Sequence, residues 1–259
     1  MSKTEVVVYA NQELLAAAAA ARLVTRIVDV QAAKGSASVV LTGGGTGIAV
    51  LTELRNSSAR DAIDWSRLDL YWGDERFVPA NSDERNEKQA REALLDHVPL
   101  DPKRIHVMAP SDGEFGDDVD AAAAAYAEVL ASNAGPEDHG DVPSFDILLL
   151  GIGPEGHLAS IFPESPAVYE TERSAVAVRN CPKPPPIRIS LTLPAIRRAR
   201  DIWLMTAGEA KADAVALALA GAGEVQIPAA GARGHRRTLW LLDRGAASKL
   251  TKVYQPPTA

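Results

Sequence analysis

One cysteine stands among the 259 residues. Cys181 has no second thiol to pair with, which excludes an internal disulfide framework and suits a reducing compartment. It sits beside Pro182, with no neighbouring ligand at metal spacing. Long apolar runs are also missing: none approaches the roughly 20 residues that span a bilayer. The N-terminus, MSKTEVVVYANQ, lacks the apolar core of a signal peptide. A cytoplasmic protein with no membrane partner is the expectation. Basic charge is not in excess either. Lys and Arg total 27 against 34 Asp and Glu, a net charge of −7. Such a chain offers no broad positive face for nucleic acid. A small anion is not excluded, because it requires only a local cluster of donors. Flexible Gly/Ser linkers and charge runs are absent as well. CPKPPP (181–186) is too short for a linker and reads as a stiff extended loop. One domain over residues 1–259, without internal repeats, is expected.

What is present is ordinary for a folded protein with a sizeable core, 46% hydrophobic and 24% charged. Continuous apolar runs predict strands near Glu5–Ala10, Ala37–Thr42, Leu68–Gly73, Ile105–Met108, Phe145–Ile152, Ser174–Arg179, Ile187–Leu193, Asp201–Thr206 and Thr238–Leu242. Helical patterns fall near Gln12–Ala33, Gly47–Ser57, Glu87–Asp96, Val119–Ser132, Glu209–Ala220 and Ala246–Leu250. The alanine runs at 16–21 and 121–125 are read as helix. This alternation predicts an α/β fold: an open, mostly parallel sheet with helices on both faces. Ligands of such sheets bind beyond the carboxyl ends of the strands.

Five junctions there carry candidate chemistry. In VVLTGGGTGIAVL, Gly43, Gly44 and Gly45 let backbone N–H groups approach a ligand, and Thr46 is placed to cap the helix that follows. A cradle for phosphate results, or simply a tight turn. The pattern is neither a Walker A motif nor Gly-x-Gly-x-x-Gly, so no nucleotide is implied. In LDLYWGDERFVP, the charges Asp74, Glu75 and Arg76 directly follow a strand, where Arg76 can fork onto an oxyanion, or the three can form a solvated turn with a local ion pair. Asp83 or Asn86 is placed to cap the next helix. FDILLLGIGPEGH delivers Glu155 and His157 from a strand end. Histidine titrates near neutrality and suits proton transfer, and a carboxylate two residues earlier can hold its tautomer. A capping loop with a structural histidine is the competing reading. His97, His106, His139 and His235 lack such settings. Arg188 opens a strand after the proline run, and Lys211 lies in a helix's first turn, where the helix dipole disfavours a cation unless an anion faces it; read singly, either can equally be a surface cation.

Taken in order, TGGGT, GDERFVP, GIGPEGHLASIFP, PPPIRISLTLP and TAGEAKADA resemble the segments of 6-phosphogluconolactonases, within the wider glucosamine-6-phosphate deaminase-like superfamily. The resemblance spans nearly the whole chain. It implies hydrolysis of 6-phosphoglucono-δ-lactone to 6-phosphogluconate, a step of the oxidative pentose phosphate pathway, with a sugar phosphate as the partner molecule and no cofactor. It places water activation on His157, phosphate and lactone-oxygen binding on Arg76, Arg188 and Lys211, the other side of the substrate on the glycine loop, and sugar or water positioning on Asp74. Glu155 departs from the family's usual Asp, and two roles are open to it: orienting His157 or contacting substrate. Glucosamine-6-phosphate deaminase/isomerase is the rival enzyme. Its relatives carry Asp-Glu-Tyr where this chain has Asp74-Glu75-Arg76, and Asn-Glu-Pro where it reads SIFPES. A non-catalytic sugar-phosphate sensor is the rival binding module, but such sensors add a DNA-binding segment for which a first strand at Glu5 leaves no room. No long heptad is visible, so a monomer or small homo-oligomer is expected.

Overall fold

A computed structural model describes residues 3–138 and 140–251. His139 therefore lies outside the described residues. Six strands form a parallel sheet: β1 (Lys3–Tyr9), β2 (Ala37–Leu41), β3 (Leu68–Trp72), β5 (Ile147–Leu150), β8 (Asp201–Thr206) and β9 (Arg237–Asp243), in the order β1-β9-β8-β5-β2-β3. The remaining strands, β4 (Asp74–Arg76), β6 (Ala175–Val178) and β7 (Arg188–Leu191), form a small antiparallel sheet in the order β4-β7-β6. The helices are α1 (Gln12–Lys34), α2 (Gly44–Asn56), α3 (Asn86–Ala93), α4 (Val119–Asn133), the short α5 (Leu193–Ile196) and α6 (Ala212–Leu219). Among the described residues no helix is long and apolar enough to cross a membrane.

Strand periodicity sorts the core into two layers. Val39, Ile147, Leu149, Trp203, Met205, Leu239 and Leu241 join the buried faces of α1, α2 and α3. Their sequence neighbours Val40, Leu148, Leu150, Ile202, Leu204, Trp240 and Leu242 join α4, α6 and the small sheet. Continuous apolar strands are thus covered on both sides, as their composition requires. Helix α1 shows the matching 3.6-residue logic. Leu15, Ala19, Leu23, Ile27 and Val30 are buried, the Asn11 side chain accepts from the Leu14 amide, and Gly35 closes the helix at φ 85°.

The sheet order changes direction between β2 and β5. From β2 the chain moves outward to β3, whereas β5, β8 and β9 lie on the other side. The carboxyl ends of these central strands open the crevice in which such folds bind ligands. After β3, Gly73 leaves the large sheet and Asp74–Arg76 pair antiparallel with β7, opposing Asp74 to Ser190 and Arg76 to Arg188. The charged triplet is therefore a strand rather than a turn, and it brings distant polar residues to one place.

Three local expectations are corrected. Ile105–Met108 contributes only a single bridge, Leu70 to Ile105, because the chain passes beside β3 without continuing along it. Residues 246–250 are turns, not helix. Helix α3 is capped by neither Asp83 nor Asn86. Buried Glu75 does so from β4, accepting from the amides of Asn86 (2.7 Å) and Glu87 (2.8 Å) as well as Arg76 (2.8 Å). Arg85, fully buried, lies 3.8 Å from the same carboxylate and 3.0 Å from Glu87. Burial pushes the Glu75 carboxyl above its ordinary value, against Arg85 and the three amides. These bonds fix β4 against α3, and so fix Arg76 and Asn86. Glu75→Ala should destabilise the protein by about 3–5 kcal/mol, the range for stripping a buried charge pair of one partner. Urea unfolding measures this; a loss below about 1 kcal/mol would show that the cap carries little.

Candidate active site

The crevice is a cavity of about 280 Å³ whose lining includes Thr42–Gly47, Asp74, Arg76, Asn86, Gly151–Gly153, His157, Lys183, Arg188, Thr206 and Lys211. It collects residues from every one of the five sequence junctions. Cations Arg76, Lys183, Arg188 and Lys211 line it against one carboxylate, Asp74. An acidic protein thus carries a locally positive pocket, completed by the N-terminus of α2.

The glycine loop follows β2. Helix α2 begins at Gly44, with Gly43 at the cap position and no side-chain cap. The expected capping role of Thr46 is therefore wrong: Thr46 sits inside the first turn, where its amide is among those without an intrahelical acceptor. Gly44 has φ 81°, a conformation available at little cost only to glycine, and the helix starts three residues earlier than a cap at Thr46 would place it. Gly43 is required for another reason. A Cβ there would fall 2.0 Å from Asn86 Oδ1. The Asn86 amide lies flush on the loop and donates through Nδ2 to the Asp74 carbonyl (2.9 Å).

The loop after β5 holds His157. Gly153 N–H donates to the His157 carbonyl (3.0 Å), Gly156 N–H to the Gly153 carbonyl (2.9 Å), and Gly156 has φ 87°. A Cβ on Gly153 would lie 1.9 Å from His157 Nδ1, so the imidazole occupies the space beside that glycine. Phe162 packs on the imidazole, ring centroids 4.4 Å apart. Nδ1 is 3.0 Å from Glu155 Oε1, but its hydrogen-bonding direction misses the carboxylate, leaving a close electrostatic contact without an aligned hydrogen bond. Burial pulls the imidazole below its usual titration range. Glu155 and Asp74 oppose that shift, and Lys183 adds to it. Burial alone would raise Glu155, yet its backbone amide, His157 and Lys183 together hold it below the ordinary carboxylate value. Glu155 in place of a shorter Asp therefore still reaches His157, and its second oxygen meets Lys183 at 3.2 Å.

Asp74 is buried and accepts from Ser160 Oγ (2.7 Å), with Arg188 Nη1 3.9 Å away. Arg188 is buried too. Its Nε donates to the Pro185 carbonyl (3.0 Å) and its Nη2 to that of Lys183 (2.9 Å), so it holds the proline loop as well as lining the pocket. Arg76 Nη1 donates to the Glu84 carbonyl (2.6 Å). Lys211, at the end of a 3-10 turn (Glu209–Lys211) leading into α6, donates to the Ile152 carbonyl (2.9 Å). Its pKa is lowered by burial first and then by Lys183, with Glu155 opposing.

Lys183, Asn86 and Thr206 escaped the sequence reading as site residues. Lys183 was legible only as part of a stiff connector and Asn86 only as a possible cap; Thr206 closes an unremarkable strand. Asn86 Oδ1, Thr206 Oγ1 and Arg76 Nε are buried polar atoms without a partner at this pocket. Elsewhere His106 stacks on Tyr71 at 4.4 Å and contacts Asp69, His97 contacts Arg55, and His235 is exposed.

The family model for glucosamine-6-phosphate isomerases/6-phosphogluconolactonase matches residues 10–240. The chain is 65% identical over 260 residues to the 6-phosphogluconolactonase of Streptomyces coelicolor, covering all of both proteins. It is 56% identical over 243 residues to that of Mycobacterium tuberculosis, covering 94% of this chain and 97% of the relative. The structure of 6-phosphogluconolactonase from Trypanosoma brucei superposes with a TM-score of 0.84 at 30% identity, covering 97% of this chain and all of the other. A monomeric glucosamine-6-phosphate deaminase shares the fold, with a TM-score of 0.76 at 20% identity, over 94% of this chain and 99% of its own.

Gly153→Ala should expel the imidazole from its slot while leaving the sheet intact. In an NMR titration the His157 ring should then move back towards the ordinary value of 6.5. An unmoved titration would show that the slot does not set the imidazole's environment.

Proposed function

Because the chain belongs to the glucosamine-6-phosphate isomerase/6-phosphogluconolactonase family, we propose that this pocket hydrolyses 6-phosphoglucono-1,5-lactone to 6-phosphogluconate with His157 as the base. The observation that carries this reading is a depressed imidazole beside a carboxylate, inside a pocket lined by cations from distant segments. The lactonase names of relatives at 65% and 56% identity support the substrate.

A δ-lactone is an activated ester, so a positioned water is nucleophile enough. With Nδ1 on the side of the ring near Glu155, Nε2 remains to take the water's proton as its oxygen bonds to the lactone carbonyl carbon. The carbonyl oxygen becomes an oxyanion, stabilised by pocket cations and N–H donors. Collapse breaks the bond to the ring oxygen, which takes the proton back from the imidazolium and leaves as a hydroxyl. Asp74 and Asn86 are placed for sugar hydroxyls or for water. Lys211, Arg76 and the amides of Gly43–Thr46 are suited to the phosphate, whose binding energy orients a ring that reacts several bonds away. Arg188 serves mainly by fixing the Lys183 loop beside Asp74.

General-base assistance is worth about 10²–10⁴ in rate. His157→Ala should lower kcat on the phosphorylated lactone by that factor with KM changed less than about threefold; equal kcat would remove His157 from the chemistry. Lys211→Ala should chiefly raise KM, and an effect confined to kcat would contradict its phosphate role. Wild type should release no ammonia from glucosamine 6-phosphate; release would favour the deaminase reaction. The pH dependence follows from the sign of the imidazole shift. The neutral ring is the active form, so activity is present above its folded pKa and lost as pH falls through it. That acid limb should lie below 6.5 in wild type; a limb above it would contradict the depressed base.

A further inference from the structure

We propose that Lys183 is a substrate-gated positioning residue: in the free enzyme its ammonium shares Glu155 with His157, and the bound sugar's phosphate draws it away so that Glu155 turns wholly to the imidazole. The inference rests on the lactonase reading above and adds a coupling between phosphate binding and the base.

The two oxygens of Glu155 are divided. Oε2 accepts from Lys183 Nζ at 3.2 Å, while Oε1 stands 3.0 Å from His157 Nδ1 without an aligned hydrogen bond. One oxygen is thus engaged by the ammonium, while the other faces the ring without an aligned bond. The tether is weak, because Lys183 is 41% and Glu155 32% exposed, and solvent-facing pairs are held loosely. The backbone beneath it is not: buried Arg188 clamps the carbonyls of Lys183 and Pro185. Lys183 therefore keeps its root in place and can swing only its side chain.

Lys183 also faces the pocket, close enough to Lys211 that its charge helps to depress that second lysine. Two ammonium groups on one cavity wall repel until an anion comes between them. A dianionic phosphate makes short charge-assisted bonds to ammonium donors and outcompetes one partly solvated carboxylate. The charged groups facing His157 are Glu155 on its own loop, Asp74 on β4 and Lys183 on the proline loop; Arg188 on β7 lies 5.9 Å from the Phe162 ring that covers it. Only Lys183 among these combines exposure with a direct hold on Glu155.

The test is the NMR titration of the His157 ring in wild type, Lys183→Met and Lys183→Arg, each free and saturated with 6-phosphogluconate, together with steady-state kinetics on the lactone. The expected result is an upward shift of the free-state titration in Lys183→Met, the same bound-state titration in Met variant and wild type, and a KM about tenfold higher. Lys183→Arg should restore the free-state value and most of the KM. An equal shift in both states would mean that Lys183 never leaves Glu155, and no shift in either would mean that it does not act on the base; each overturns the proposal. Wild type that neither hydrolyses the lactone nor binds 6-phosphogluconate would sink the lactonase reading itself. A switch that fails in an active enzyme sinks only the inference.

Discussion

The imidazole of His157 lies where any residue but glycine at 153 would put a side chain, and the site depends on that contact. The loop closes on itself through the Gly153 and Gly156 amides, which bends it tightly enough to bring Glu155 and His157 to one side. Phe162 covers the ring and helps to remove it from water, and the loss of water keeps it neutral. A base that is neutral without being distant from solvent is useful for attack by water. The same device recurs across the crevice. Gly43 lets the Asn86 amide lie against the glycine loop, so both walls are built by side chains packed on bare backbone.

The sheet supplies the rest by placement. β2, β5 and β8 end together, and each hands over one loop: the glycine cradle, the His157 turn and the Lys211 turn. The small antiparallel sheet then folds Asp74 and Arg188 inward from segments more than a hundred positions apart, while Glu75 pins its first strand to α3. The result is a positive pocket in a protein of net charge −7. Concentrating the cations in one crevice would give the proposed sugar phosphate both attraction and orientation, and asks nothing of the remaining surface.

Much of this was legible in the residues because buried parallel strands are written as unbroken apolar runs. Leu68–Trp72, Ile147–Leu150 and Asp201–Thr206 sit where those runs lie, and the junction residues Gly43–Gly45, Asp74, Arg76, His157, Arg188 and Lys211 meet at one pocket. What escaped depends on contacts across the chain. Glu75 caps a helix that begins eleven residues later, which no local capping pattern reveals. Asp74–Arg76 looks like a turn because its partner strand lies beyond residue 187. Thr46 looks like a cap until the φ of Gly44 moves the start of α2. Lys183 looks like part of a spacer until Arg188 folds that loop over the pocket.

The central claim is spatial: one sugar phosphate touches the imidazole with one end and the lysines with the other. A crystal structure with 6-phosphogluconate bound measures it directly. The account predicts the product's carboxylate carbon within about 3–4 Å of His157 Nε2 and the phosphate held among Lys211, Lys183 and the amides of Gly43–Thr46. A product bound with its phosphate against His157, or outside this crevice, would contradict it.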